Sequence, residues 1–184
     1  RENTTEHKQG LNLLVVGGSL GAQILNETVP ETCGVLEGLS IKHQCGKGNS
    51  EGVIKAYTSV GADMSKIDVS DFIDDMAAAY EWADFVVCRA GALTVSEVAA
   101  AGRAAIFVPL PFAVDDHQTA NARFMVQAEA GLLLPQTQLT AEKLAEILGG
   151  LNREKCLKWA KNARTLALPH SADDVAEIAI SCTE

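Results

Sequence analysis

The run Leu11–Val16 constrains the fold most, because it is apolar at five of six positions and ends on two glycines. A strand with apolar residues on both faces must be covered on both sides, which is typical of buried strands in parallel sheets. Further predicted strands, in chain order, are Ser40–Cys45, Ile67–Val69, Asp84–Cys88, Ala104–Val108 and Leu132–Leu134.

Helical segments alternate with these strands. The predicted helices are Ala22–Leu36, Glu51–Val60, Asp74–Trp82, Val95–Ala101, His117–Ala130, Thr140–Leu148, Arg153–Leu168 and Ala172–Ser181. This alternation predicts an α/β fold with a doubly wound, mostly parallel, Rossmann-like sheet. We expect one domain over residues 11–184, preceded by a flexible start or linker remnant at residues 1–10.

Composition excludes several classes of protein. The 184 residues carry 15 Lys and Arg against 24 Asp and Glu, a net charge of −9, which argues against a nucleic-acid surface. No apolar run approaches the ~18 residues of a membrane span, and no secretory signal opens the chain. The five cysteines include no CxxC pair, so neither disulfides nor a zinc site is predicted. We expect a cytoplasmic protein without metal or cofactor.

The glycine-rich segment Gly17–Ala22 links the first strand to the first helix. Glycines let a backbone approach an anion closely, Ser19 adds a hydroxyl, and a helix N-terminus attracts negative charge. The segment lacks the spacing of a dinucleotide fingerprint and the lysine of a P-loop. Glu37 precedes the second strand instead of ending it, so NAD binding is not predicted. A tight turn without a ligand is the open alternative.

The segment Arg89–Glu97 precedes the next helix. Thr94 and Glu97 have the spacing of a capping box, in which two side chains bond the free N–H groups of a first helical turn. In the alternative interpretation, the N–H groups of Ala92–Val95 bind a diphosphate and Glu97 accepts hydrogen bonds from a sugar diol. The residues alone leave both interpretations open.

A third segment, Pro109–Gln118, contains two prolines that fix an irregular loop. Asp115 or Asp116 is suited to cap the following helix. Gln118 and Asn121 lie three residues apart, hence on one helix face, where they are able to hydrogen-bond sugar hydroxyls. A solvated helix start is the alternative.

The sequence shows no recognised set of nucleophile, base and orienting residue, so no catalytic residue is predicted.

Five segments, in order, resemble the C-terminal half of the MurG family of GT-B glycosyltransferases. They are GGSLGA, HQCGKG, VSDFIDDMAAAYEWAD, CRAGALTVSEVAAAG and PLPFAVDDHQTANA, within a resemblance that runs from Leu11 to Leu148. This family moves N-acetylglucosamine (GlcNAc) from UDP-GlcNAc onto undecaprenyl-diphosphoryl-MurNAc-pentapeptide (lipid I), forming lipid II in peptidoglycan synthesis. The resemblance implies this hexosyl transfer, with inversion, for the intact protein.

In that family the C-terminal half binds the donor. The implied UDP-GlcNAc-binding residues are Gly18 and Ser19 for the diphosphate, Phe72 and Ile73 for uracil, Ala92, Leu93, Thr94, Val95 and Ser96 for phosphate and sugar, Glu97 for the ribose hydroxyls, and Gln118 with Asn121 for the GlcNAc hydroxyls. Phe112 stands where many relatives carry histidine.

The family's N-terminal acceptor half has no counterpart in this sequence. We therefore expect that half to supply lipid I binding, membrane contact and the catalytic base, and the 184-residue chain to be inactive alone. The intact protein is expected to lie peripherally on the cytoplasmic face of the bacterial inner membrane. The alternatives are a separate donor-binding subunit of a split GlcNAc transferase and a non-catalytic nucleotide-sugar-binding module.

Overall fold

The computed structural model describes residues 10–18, 21–111 and 117–166, which form an α/β domain. The strands are β1 Asn12–Val16, β2 Ser40–Gln44, β3 Ile67–Ser70, β4 Phe85–Cys88, β5 Ala104–Phe107 and β6 Gly131–Leu133. The helices are α1 Gln23–Cys33, α2 Ser50–Ser59, α3 Met76–Trp82, α4 Ala92–Ala101, α5 His117–Gln127, α6 Ala141–Gly149 and α7 Arg153–Leu166. Short 3₁₀ turns lie at Met64–Lys66 and Gln136–Gln138.

All strand pairs are parallel, and the order in the sheet is β3-β2-β1-β4-β5-β6. Strand β1 is central, and its side chains alternate between two cores. Leu13 and Val15 pack in the first core, whereas Leu14 and Val16 pack in the second. This double burial explains why the strand is apolar on both faces, since each buried aliphatic side chain contributes about 1.5–3 kcal/mol.

Helices cover both faces of the sheet. The first core receives Leu25 of α1, Tyr57 of α2 and Leu144 of α6. The second core receives Val98 of α4 and Met125 of α5. The doubly wound arrangement predicted from the alternation of strands and helices is therefore confirmed.

Each described strand agrees with its prediction to within one residue at both ends. Helix α4 differs, because it begins at Ala92 and not at the predicted Val95. Gly91 is its N-cap, with φ −61° and ψ 150°, and the Val95 N–H already donates to the Gly91 carbonyl at 3.0 Å. Helix α1 ends three residues early, at Cys33. The predicted helix Ala172–Ser181 lies outside the described residues.

A chain of polar side chains crosses the first core beside β2. Asn26 Nδ2 donates to the Cys45 carbonyl at 3.0 Å, which turns its Oδ1 towards His43 Nε2 at 2.9 Å. Nε2 therefore carries the proton, and His43 Nδ1 accepts from the Tyr57 hydroxyl at 2.7 Å. Burial lowers the pKa of His43 to about 4, so the imidazole is neutral near pH 7.

Among the residues that the structure describes, no helix is long and apolar enough to cross a bilayer.

Candidate functional site

The candidate site lies where the carboxyl ends of β1 and β4 meet. Val16, the last residue of β1, pairs with Cys88, the last residue of β4. The chain leaves β1 for α1, which covers one face, and leaves β4 for α4, which covers the other. Ligands of open parallel sheets bind in the crevice at such a reversal of strand order.

The loop after β1 is held in shape by its own backbone and by β2. The N–H of Gly17 donates to the Gln44 carbonyl at 3.2 Å, and the N–H of Gly21 donates to the Gly18 carbonyl at 3.0 Å. Gly21 has φ +76°, and a Cβ there would collide with the carbonyl oxygen of Cys45. Only glycine fits this position. Ser19, predicted at the diphosphate, lies outside the described residues.

Gly18 matters for the backbone conformation of the loop, because its N–H group is not free to donate to a ligand. Its φ is +86°, and its N–H is already bound to the side-chain oxygen of Gln44 at 3.1 Å. A Cβ at Gly18 or at Gly91 would meet no atom of the described residues within 4 Å. The small residues therefore leave room for a ligand on both sides of the crevice.

Two helix N-termini at this crevice are open. Among the residues that the structure describes, none forms a side-chain capping bond to helix α1 after Ala22 or to helix α4 after Gly91, and neither first turn contains an acidic residue. Their first-turn N–H groups and helix dipoles favour an anion.

The N-terminus of α2, at the same edge, is closed by a carboxylate. Asp71 accepts hydrogen bonds from the N–H groups of Gly48 at 3.0 Å and Ser50 at 3.3 Å, and from the Ser50 hydroxyl. These bonds, that of the Ser50 hydroxyl first, lower the pKa of Asp71. Because this anionic side chain already occupies α2, an incoming anion is directed to α1 and α4.

The structure contradicts the capping-box interpretation of Thr94 and Glu97. Thr94 is the third residue of α4, and Glu97 is the sixth, so neither side chain caps the helix. Glu97 Oε2 instead accepts a hydrogen bond from the hydroxyl of Tyr80 at 3.0 Å. Oε1 of Glu97 has no hydrogen-bond partner among the described residues and is available to a ligand.

Tyr80 fixes one oxygen of this carboxylate. The tyrosine side chain is only 3% exposed, in the second core. Burial, followed by the charge of Glu97, raises the pKa of Tyr80 far above its ordinary value, so its hydroxyl stays protonated and donates. Sequence reasoning missed this partner.

The other predicted residues of α4 differ in what they offer. Ala92 is exposed, Leu93 is 74% exposed, and Thr94 and Ser96 are partly exposed. The side chain of Val95 is buried in the second core, so only its backbone is able to line a ligand.

Phe72 and Ile73 follow β3 and form, with Asp71, the base segment, residues 71–73. Phe72 is 50% exposed, while Ile73 packs partly against the second core. The base segment lies two strands away from β1, across β2.

Gln118 and Asn121 hold the loop between β4 and α4. Gln118 Oε1 accepts from the N–H groups of Ala90 at 3.3 Å and Leu110 at 2.7 Å. Asn121 Nδ2 donates to the Ala90 carbonyl at 3.0 Å. Half of each side-chain amide is therefore used within the protein, while Gln118 Nε2 and Asn121 Oδ1 have no hydrogen-bond partner in the described part of the chain. Phe112, Asp115 and Asp116 lie outside the described residues.

Arg89, which sequence reasoning did not single out, places a positive charge at this edge. Its guanidinium donates to the carbonyls of Val108 at 3.4 Å and Pro109 at 3.2 Å, and to Gln136 Oε1 at 2.8 Å. These partners are neutral oxygens, so the charge of Arg89 is not cancelled by them. Burial lowers the pKa of Arg89, but an arginine side chain keeps its charge.

Within the described ranges, no three His, Cys, Asp or Glu side chains lie together as a metal site.

Solved structures with low sequence identity share this fold. A kitacinnamycin glycosyltransferase is 19% identical, with a TM-score of 0.65 over 96% of this chain and 44% of its own. CalG4, the calicheamicin glycosyltransferase, is 16% identical, with a TM-score of 0.63 over 96% of this chain and 45% of its own. The domain thus has the fold of the C-terminal half of GT-B glycosyltransferases.

Comparisons at higher sequence identity show the family within this fold. The glycosyltransferase family 28 C-terminal domain matches residues 12–177, and the chain belongs to this family. A transferase from Neisseria meningitidis, named UDP-N-acetylglucosamine--N-acetylmuramyl-(pentapeptide) pyrophosphoryl-undecaprenol N-acetylglucosamine transferase, is 65% identical over 94% of this chain and 48% of its own length. The transferase of the same name from Psychrobacter cryohalolentis is 54% identical over 91% of this chain and 47% of its own length.

The crystal structure of Acinetobacter baumannii MurG is 46% identical, with a TM-score of 0.81 over 92% of this chain and 49% of that protein. The chain spans about half the length of the curated relatives it matches. It corresponds to the C-terminal domain of MurG, as the ordered sequence segments predicted.

Proposed function

We propose that this chain is the donor-binding half of an inverting glycosyltransferase that moves GlcNAc from UDP-GlcNAc to lipid I, forming lipid II in peptidoglycan synthesis. The observation that carries the proposal is the pair of open helix N-termini, α1 and α4, at the crevice between β1 and β4. The 65% identity to a transferase of that name supports the choice of donor and acceptor.

The diphosphate of the donor is assigned to this crevice. Backbone N–H groups at the start of α4 bind it, and the two helix dipoles each contribute about 0.3–1 kcal/mol. Arg89 adds a full positive charge at the same edge. Ala90, Gly91 and Ala92 are small enough to let the phosphates approach the backbone.

The nucleoside and sugar are assigned to the flanking residues. Phe72 and Ile73 hold uracil, in part through backbone groups, and Glu97 Oε1 accepts hydrogen bonds from the ribose hydroxyls. The free halves of the Gln118 and Asn121 amides bind hydroxyls of GlcNAc.

The proposed reaction is a displacement at C1 of GlcNAc. A hydroxyl of lipid I forms a new bond to C1 while the bond from C1 to the phosphate oxygen breaks on the opposite face, and the electron pair leaves with UDP. The helix N-termini stabilise the charge that develops on the departing diphosphate. The other half of the protein takes the proton, binds lipid I and contacts the cytoplasmic face of the membrane.

Calorimetric titration of the chain tests donor binding. We expect UDP-GlcNAc to bind more tightly than UDP-GalNAc, and NAD not to bind, because the proposed contacts recognise uracil, ribose and the sugar hydroxyls. The heat of binding should be unchanged by EDTA, because the diphosphate is assigned to backbone N–H groups, with the positive charge of Arg89 at the same edge. An absolute requirement for Mg²⁺, or binding of NAD in place of UDP-GlcNAc, would contradict the proposal.

A second experiment measures the transfer of GlcNAc to lipid I. The chain alone should form no lipid II, and joining it to a MurG N-terminal half should restore lipid II formation. If the joined protein binds UDP-GlcNAc without transferring GlcNAc, the chain is a nucleotide-sugar-binding module and not half of a transferase.

A further inference from the structure

Gln44, the last residue of β2, joins the two parts of the proposed nucleotide site. Its side chain is 5% exposed. Oε1 accepts from the N–H of Gly18 at 3.1 Å, while Nε2 donates to the Gly18 carbonyl at 2.8 Å and to the Asp71 carbonyl at 3.1 Å. One amide therefore binds the loop after β1 and the base segment at once.

These contacts specify the conformation of both segments. Both backbone polar groups of Gly18 bond to the same side chain, which holds that residue at φ +86°. Asp71 is the residue directly before Phe72, so its carbonyl fixes the start of the base segment. A buried amide is costly unless it is hydrogen-bonded, so this geometry is strongly preferred over looser ones.

Among the described residues, no hydrogen bond joins the two segments directly, because β2 lies between β1 and β3. The backbone of β2 extends the pairing on each side. Gly17 N–H donates to the Gln44 carbonyl, and the N–H groups of Cys45 and Gly46 donate to the carbonyls of Ser70 and Asp71. Among the described residues, the side-chain amide of Gln44 is the only group that hydrogen-bonds both Gly18 and Asp71.

We propose that Gln44 is a positioning residue that fixes the spacing between Gly17 and Gly18, at the start of the loop after β1, and the base segment. The spacing lets the uracil and the diphosphate of one nucleotide reach both segments at once. This inference rests on the proposed function, since it takes UDP as the ligand. A ligand that bridges two preorganised segments loses affinity when their spacing loosens, whereas a ligand that touches one segment does not.

Gln44→Met tests this spacing, because methionine has a similar length but lacks the amide. We expect the Kd of UDP to rise about 10-fold, the size of effect expected for losing buried hydrogen bonds, and the Kd of uridine to change less than about 2-fold. Gln44→Glu is the second variant. It keeps an acceptor for the Gly18 N–H but loses both donations from Nε2, so it should show the same difference between UDP and uridine.

Thr32→Val is the matched control. Thr32 is fully buried near the end of α1, and its hydroxyl donates to the Thr28 carbonyl at 2.8 Å, away from the carboxyl edge of the sheet. This variant also loses a buried hydrogen bond, but the Kd values of UDP and uridine should stay at wild-type levels. Thermal unfolding of all variants shows which are folded, and Gln44→Glu carries the comparison if Gln44→Met unfolds.

NMR spectra of the backbone amides distinguish a lost connection between the two segments from a general loss of stability. In the wild type, uridine should shift the ¹H–¹⁵N signals of Gly17 and Gly18 as well as that of Phe72. In Gln44→Met only the signal of Phe72 should shift. Two results would overturn the role of Gln44 while UDP binding stands. One is an equal loss of affinity for UDP and uridine in Gln44→Met, and the other is a Gly18 signal that uridine still shifts in that variant. Failure of the wild type to bind UDP would instead overturn the proposed function.

Discussion

Replacing Glu97 with glutamine is expected to weaken UDP binding by roughly 10- to 100-fold, because hydrogen bonds to a charged acceptor contribute about 1.5–3 kcal/mol. The substitution keeps the shape of the side chain but removes the charge that strengthens the proposed bonds to the ribose hydroxyls. The measurement is a calorimetric titration with UDP. Stability should change little, since Glu97 does not cap α4.

A 2′-deoxyribose analogue of UDP is the control for this assignment. It should bind the wild type more weakly than UDP does, but Glu97→Gln should bind both ligands almost equally. Tyr80→Phe is the companion variant, since it removes the hydroxyl that holds Glu97 Oε2. We expect it to weaken UDP binding about 5-fold, for one neutral donor worth about 1 kcal/mol. Wild-type affinity in Glu97→Gln would remove Glu97 from the ribose site.

The free energy of unfolding is expected to fall by about 3 kcal/mol between pH 6.5 and pH 4 through His43 alone. The pKa of this buried imidazole is lowered from 6.5 to about 4 in the folded chain. Between pH 6.5 and pH 4, the unfolded chain therefore binds a proton at His43 that the folded chain does not bind. The stabilisation is fully present above pH 6.5 and is lost as the pH falls towards 4.

Urea unfolding at pH 7 and at pH 4.5 measures this effect. His43→Gln is the control, because glutamine is polar but does not titrate. The variant should be less stable than the wild type at pH 7, since the contacts with Asn26 and Tyr57 change. Its stability should nevertheless depend less on pH, and an equal dependence in both proteins would show that His43 is not the group responsible.

The strands were predictable because their signal is local. An uninterrupted apolar run such as Leu11–Val16 reports burial on both faces without knowledge of its neighbours. The start of α4 was not predictable in this way, because Thr94 and Glu97 match a capping pattern by spacing alone. The helix begins earlier, since Gly91 serves as N-cap without a side chain.

The site required contacts that sequence spacing does not contain. Tyr80 lies 17 residues from Glu97, and Gln44 lies 26 and 27 residues from its partners Gly18 and Asp71. These pairs meet only because the sheet and its helices bring them together. The sequence correctly predicted where the described strands end, whereas the contacts of Tyr80 and Gln44 became visible only in three dimensions.

The open N-terminus of α4 has a consequence for inhibition. Ala92, Leu93 and Thr94 offer main-chain N–H groups, which every amino acid except proline would also supply at those positions. Changing a side chain there leaves the donors in place. In the proposed function, the donor diphosphate and an inhibitor that imitates it bind the same N–H groups. Few single substitutions would then abolish the bonds of the inhibitor and spare those of the proposed donor, so the routes to resistance at this crevice are narrow.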